Sequence, residues 1–492
     1  MKNEKGITLI ALVITIIILL LLLTITIRIL VGNNGIINRA GVASEEYEIS
    51  SEKEQVNMAQ MSLKDETNVK EESWEKIIRN TKATKVSDTE YIIKFNKSGR
   101  LYWAELDDDV IYIGKDKENE FEEIDEDGSE GKPYVINTIE DLVEFSNNVR
   151  NGTSYNGKYI VLNRNLDFKM TDSYKNYKTT EYGDINQNGS IEPLIIEMNK
   201  DEGFKPIGNG NKIDGAGGGG SFEGTFDGNG YTLNNIYENR TENASLFSYA
   251  KKAVIKNINI NGTLISNNGI AAGILAYGEG GTKVENCINE AMISGVNAGG
   301  IVGRTADNQT IQNCINKGNV IAEEDAGGIL GFSCYSNNKA TINYCANLGS
   351  VVAQKKYAGG IIGECSLYSG GNEFCINYSY NRGTIESKEN YAAGLIGRYS
   401  DGSLTSCYNV GNIITKGNNL KGPMLGNTFA TKVECSNCYY IKGDYGVSIN
   451  RGIEEEESNM KTQNFVDLLN QNLEKKIWRL DSTNENNGYP IF

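Results

Sequence analysis

The chain has 492 residues and not one histidine. That absence removes the commonest general base, the commonest metal ligand and every Ser–His or Cys–His nucleophile pair. A zinc peptidase site of the His-Glu-x-x-His kind is excluded outright. Proline is scarce, at 5 residues against 55 glycines, as in a β protein rich in turns. Basic residues are outnumbered, 48 against 64 acidic, for a net charge of −16. This argues against nucleic-acid binding, which wants a basic stripe, and suits a self-repelling soluble surface. Cysteine is odd in number, at 9. Cys435-Ser436-Asn437-Cys438 is a lone CxxC with no second pair, which argues against zinc or redox chemistry. Long apolar runs are missing as well, except at the N-terminus. The length allows two or three domains.

What is present is a repeat between about residues 255 and 426. Ala298-Gly299-Gly300-Ile301-Val302-Gly303 returns as Ala326-Gly327-Gly328-Ile329-Leu330-Gly331 and as Ala358-Gly359-Gly360-Ile361-Ile362-Gly363. Weaker copies are Ala272-Gly273-Ile274-Leu275, Ala393-Gly394-Leu395-Ile396-Gly397 and Gly422-Pro423-Met424-Leu425-Gly426. The interval is roughly 27 to 34 residues, which marks a stacked architecture. Each unit carries three short apolar runs parted by Gly and Asn, none with helical period. A single coil of this kind cannot bury its apolar face, so it stacks on its copies as a parallel β-helix. Laid in register, Ile258, Cys287, Cys314, Cys345, Ser379, Cys407 and Cys438 share one slot. Their small apolar side chains fit a buried column. Two residues on, Asn289, Asn316, Asn347, Asn381 and Asn409 share another, read as a turn position where Asn tolerates left-handed backbone.

The Ala-Gly-Gly motif resembles the GLUG repeat of bacterial surface proteins. The resemblance extends upstream to Phe222-Glu223-Gly224-Thr225-Phe226-Asp227-Gly228-Asn229-Gly230-Tyr231 and downstream to Asn487-Gly488-Tyr489-Pro490. It covers about two thirds of the chain and implies a fold rather than an activity.

Lys2 and Lys5 precede an apolar run from Ile7 to about Val31. As a helix rising about 1.5 Å per residue it crosses a ~30 Å bilayer with some tilt. The flanking lysines favour a cytoplasmic N-terminus and an external body. Lys5-Gly6-Ile7-Thr8-Leu9-Ile10 resembles the leader junction of type IV prepilins. The resemblance implies cleavage after Gly6 by a prepilin peptidase, methylation of Ile7, and display on a Gram-positive cell surface. Ala11 stands where the major pilins carry Glu, which counts against incorporation into a shaft.

The expected order is leader 1–6, transmembrane helix 7–31, helical stalk 32–72, small pilin-like α+β head 73–114, acidic linker 115–131, β-helix 132–452 with an insertion at 169–203, and C-terminal cap 453–492. The head should be an antiparallel meander of Tyr91–Phe95, Leu101–Leu106 and Val110–Ile113. Thr138 and Asp141 make a capping box for a helix that covers the first coil. In the insertion, Asp184, Asn186, Asn188 and Glu192 follow a calcium-loop pattern, but Ile195 occupies the position of its bidentate acid. The readings are a calcium site or a plain Asn/Gly turn.

Three functions fit. The first is an adhesin or binding module on a pilin-like stalk, its partners a membrane and a glycan or protein ligand. The second is a minor pilin or pseudopilin of a type IV pilus or type II secretion-like machine, whose partners are other pilin-like subunits. The third is a polysaccharide-cleaving enzyme, since β-helices include such enzymes. Acids are sparse in the repeats and out of register: Glu285, Glu290, Glu323, Glu324, Asp325, Glu364 and Glu386. Glu323-Glu324-Asp325 reads as a solvated loop, so the expectation is no catalysis.

Overall fold

The computed structural model describes residues 36–492 except 65–68, 79–80, 86–88, 96–99, 107–109, 116–125, 169–177, 184–191, 198–201, 211–219, 334–338, 366–372, 400, 417–419, 429–432 and 446–450. The expected leader junction and transmembrane run lie outside these residues. Among the described residues no helix is long and apolar enough to cross a membrane. The chain divides into two compact units, residues 1–121 and 122–492.

In the first unit, helix α1 (Ile36–Leu63) and helix α2 (Glu71–Ile77) pack on a four-stranded antiparallel meander. Glu52, Val56, Ala59 and Leu63 recur at helical spacing on the face of α1 turned to the sheet. Val56, Ala59 and Leu63 share one core with Trp74, Tyr91, Ile93 and Tyr102. Arg100 is buried in this contact and pairs with Glu52 at 3.4 Å. The Tyr102 hydroxyl donates to the same carboxylate at 3.0 Å. The segment read as stalk therefore belongs in part to the head's core, to which it gives Val56, Ala59, Leu63 and Val69. The sheet gains a strand the sequence hid: Thr81–Lys85 has no apolar pattern and is held by its pairing with Glu90–Phe95.

The second unit is mainly β, a parallel solenoid of about eight coils. A coil holds five short strands rather than three, for example Thr310–Gln312, Ile315–Asn316, Val320–Ala322, Ala326–Gly327 and Leu330–Ser333. Copies stack into parallel sheets of 10, 15, 7 and 6 strands. In the ten-stranded sheet Phe226, Ile255, Val284, Ile311, Ile342, Ile376 and Leu404 lie in strict register. All seven are buried. At about 4.8 Å per step, ten strands extend ~43 Å.

The Cys slot is as expected, fully buried from Cys287 to Cys407. Each thiol donates to the carbonyl two residues back, Cys287 to Glu285 at 3.2 Å and Cys407 to Thr405 at 3.3 Å. The left-handed backbone lies one residue before this slot, not at the Asn column. Asn257, Asn286, Asn313, Tyr344, Tyr378, Ser406 and Asn437 have φ between 52° and 56°. The Asn column instead points inward and forms a ladder. Asn289 Nδ2 donates to Asn316 Oδ1, Asn316 to Asn347, Asn347 to Asn381 and Asn381 to Asn409, each at 2.8 Å. Every one of these amides is buried and also bonds locally to the backbone two residues on. The ladder explains the glycines beside it. A Cβ on Gly328 would lie 2.1 Å from the Gly360 carbonyl and 2.4 Å from Asn347 Cγ.

Helix α3 (Ile139–Arg150) seals the first coil. Thr138 Oγ1 accepts from Asp141 N at 3.1 Å, and Asp141 accepts from Thr138 N at 2.9 Å. Phe145 packs edge-on against Phe222 at 5.6 Å. At the other end, Ile453–Glu455 adds a last parallel strand to Tyr439–Ile441. The expected C-terminal cap does more than close this end. Residues 460–492, with helix α4 (Gln463–Leu469), lie along a flank. There Trp478, Phe465 and Phe492 cover the outward-facing Tyr380, Tyr408 and Tyr439, with Ala346 beneath.

Candidate binding surface

The residues expected to bear function are dispersed. Gly6, Ile7, Asp184, Asn186 and Asn188 lie outside the described residues. Glu192 opens a strand, Glu192–Glu197, paired antiparallel with Lys178–Gly183. Among the described residues, no group of three or more Cys, Asp or Glu could hold a metal. The Cys column comes together as a buried column, as foreseen, and the Asn column, read as a turn position, lies in the core as well.

The solenoid presents one long polar face, the outside of the ten-stranded sheet. Residues flanking the buried apolar ladder alternate outward. One column runs Lys256, Glu285, Gln312, Asn343, Asn377 and Thr405. Its neighbour runs Thr310, Thr341, Cys375 and Ser403. All are half-exposed. Their polar groups bond from coil to coil: Gln312 to Glu285 at 3.1 Å, Asn377 to Asn343 at 2.9 Å. At its start Lys256 pairs with Asp227 at 3.1 Å. Burial would raise the Asp227 carboxyl, but hydrogen bonds from Asn257, Asn229 and Lys256 outweigh it and hold the group below the usual range. The surface is thus a regular array of amides and hydroxyls with charges set among them, such as Lys339 and Glu373 at 4.0 Å.

Two buried charge clusters escaped the sequence. The first corrects the solvated reading of Glu323-Glu324-Asp325. Glu323 and Glu324 do face solvent, paired with Lys355 and Lys356. Asp325 turns inward and is 1% exposed. It hydrogen-bonds the carboxyl of Glu364, itself 2% exposed. Burial first, then the Glu364 charge, pushes Asp325 well above the usual carboxylate range. Arg398 donates to Glu364 at 2.9 Å and lies 5.1 Å above the Tyr357 ring. One signal was available: Asp325 takes the place that Asn297 holds a coil earlier, before the same Ala-Gly motif.

The second cluster is Glu238, fully buried, with Arg240 Nε 3.5 Å away. Its Oε2 accepts from Ser245 N at 3.1 Å. Burial lifts this carboxyl to about 8 against the pull of Arg240. The carboxyls of Asp325, Glu364 and Glu238 are all buried.

No protein-family model matches the chain, and no curated protein does. Among solved structures it is similar to a Bacteroides ovatus protein provisionally named an immunoglobulin A1 protease. The two share 17% identity over 74% of this chain and 93% of the other, with a TM-score of 0.44.

Proposed function

We propose that this is a membrane-anchored cell-surface binding protein of the GLUG-repeat kind. In this reading the apolar run 7–31 is the anchor and the solenoid displays a ligand-binding face. The observation that carries the reading is the outward face of the ten-stranded sheet, with its coil-by-coil array of Thr310, Thr341, Ser403, Asn343 and Asn377. A flat array repeating every ~4.8 Å suits an extended glycan or matrix protein lying across several coils. The test is retention of the full chain, in detergent micelles, on insoluble polysaccharides and immobilised matrix proteins. Retention should disappear when Thr341→Arg and Ser403→Arg crowd the face. Retention that survives both changes would move the ligand elsewhere. Cleavage of polysaccharide, read as new reducing ends and lost in Asp325→Asn, would replace binding by catalysis.

A second reading, a minor pilin or pseudopilin, draws support from α1 packed on an antiparallel meander in the first unit. Methylated Ile7 at the N-terminus of the mature protein, with co-purifying pilin-like subunits, would favour it. An intact Met1 would count against pilin-type processing.

A further inference from the structure

Six successive coils carry two core-facing positions three residues apart around a left-handed corner. They are Ile255 and Ile258, Val284 and Cys287, Ile311 and Cys314, Ile342 and Cys345, Ile376 and Ser379, Leu404 and Cys407. In all six coils the first position is aliphatic. In the next coil it is Cys435, in register with Leu404, and the second is Cys438. Asn437 between them has φ 52°. The Cys435 thiol lies within hydrogen-bonding reach of Cys438. Both thiols are free. The strand that carries Cys435, Val433–Ser436, is the edge of the ten-stranded sheet, so Cys435 is half-exposed, while Cys438, past the corner, is 2% exposed.

We propose that Cys435 and Cys438 are a modification site, closing into a disulfide that fastens the last corner of the solenoid. The co-reactant is an external low-molecular-weight disulfide, as found where proteins are exported. The Cys435 thiolate attacks one of its sulfurs and expels a thiolate, leaving a mixed disulfide. The Cys438 thiolate then attacks Sγ of Cys435 and expels the second thiolate. Two cysteine protons are released and the external disulfide becomes two thiols, so electrons and atoms balance. The site is sterically selective. The corresponding positions of earlier coils offer at most one thiol, and Cys287, Cys314, Cys345 and Cys407 are sealed from any reagent. Hydrogen bonding to Cys438, then burial, holds the Cys435 thiol high, so closure is slow at neutral pH and quickens in alkali.

Trypsin provides a clean readout, because the peptide Val433–Lys442 contains Cys435 and Cys438 and no other cysteine. The full chain is incubated with oxidised glutathione at alkaline pH, quenched in acid, denatured, alkylated and digested. The expected peptide is lighter by two hydrogens, carries no alkyl group, and gains two after reduction with dithiothreitol. A peptide that still takes two alkyl groups, or one that keeps a stable glutathione adduct on Cys435, overturns the proposal. In Cys435→Val the peptide should take one alkyl group at Cys438 with or without oxidant. Should that variant fail to fold, the map of the unaltered chain decides alone.

Discussion

The side-chain amide of Asn347 donates to Asn381 Oδ1 at 2.8 Å while its own Oδ1 accepts from Asn316 at the same distance. Both bonds are inside the core. Asn347→Ala removes a donor and an acceptor at once and leaves the Asn316 amide with only its bond to the Gly318 carbonyl. The expected loss is about 2–4 kcal/mol, one to two unmet buried groups. Asn409→Ala, at the end of the ladder, should cost less. Urea unfolding of the two variants checks the order.

Gly328 is a steric requirement, not a flexible joint. Gly328→Ala drives a methyl into the Gly360 carbonyl and Asn347, at a cost of about 3 kcal/mol or more. Gly131→Ala, where a Cβ meets nothing within 4 Å, should leave the melting temperature unchanged. Equal effects at both positions would refute the packing account.

The buried acids give stability an unusual slope with pH. Glu238 is raised from 4.5 to about 8 in the folded chain. Between those values the folded state holds a proton that the unfolded state has lost. Stability from this group is complete below about pH 4.5 and declines as pH rises towards 8. Asp325 acts in the same direction. Denaturation midpoints should fall between pH 5 and 8, and Glu238→Gln should flatten that fall.

The flank segment should stabilise only the coils beneath it. Trp478 packs at a tilt against Tyr380 and Tyr408, and its indole donates to Ser406 at 2.7 Å. Trp478→Ala should cost about 3–5 kcal/mol. Hydrogen exchange should quicken in residues 373–441 and stay slow in residues 225–285. Uniform quickening would mean the segment holds the whole solenoid.

The Cys column should accept serine. Ser379 already occupies it, donating to the Asn377 carbonyl at 2.8 Å and accepting from Cys345 N at 3.1 Å. Cys345→Ser keeps the bond to the Asn343 carbonyl and should cost only about 1 kcal/mol.

The solenoid, its register, its buried Cys column and its capping helix were legible because they repeat. Seven copies of one slot turn weak local preferences into a pattern, and Gly-Gly beside Asn records close approach in the residue types themselves. The role of the Asn was misplaced, since a buried ladder and a left-handed corner want the same residue and stand three positions apart. Five strands per coil were read as three because breaks at Asn313 and at Gly328-Ile329 split runs that look continuous. The polar face was readable only in part: its Thr and Asn residues stand out once the register is known. Asp325 with Glu364, Arg100 with Glu52, and Trp478 on Tyr408 join residues 39 or more positions apart with no periodic signal. Only the fold brings such partners together.

The tail that lies over Tyr380, Tyr408 and Tyr439 also limits how the protein can lengthen. Duplicating a unit among residues 283–340 slides everything after it along the axis as one block, and the clasp travels with its seat. Duplicating one between Tyr380 and Tyr439 pushes the ring sockets apart by a full coil, and a strap of fixed span can no longer reach them all. Growth by copying is therefore open near the start of the rod and closed near its finish.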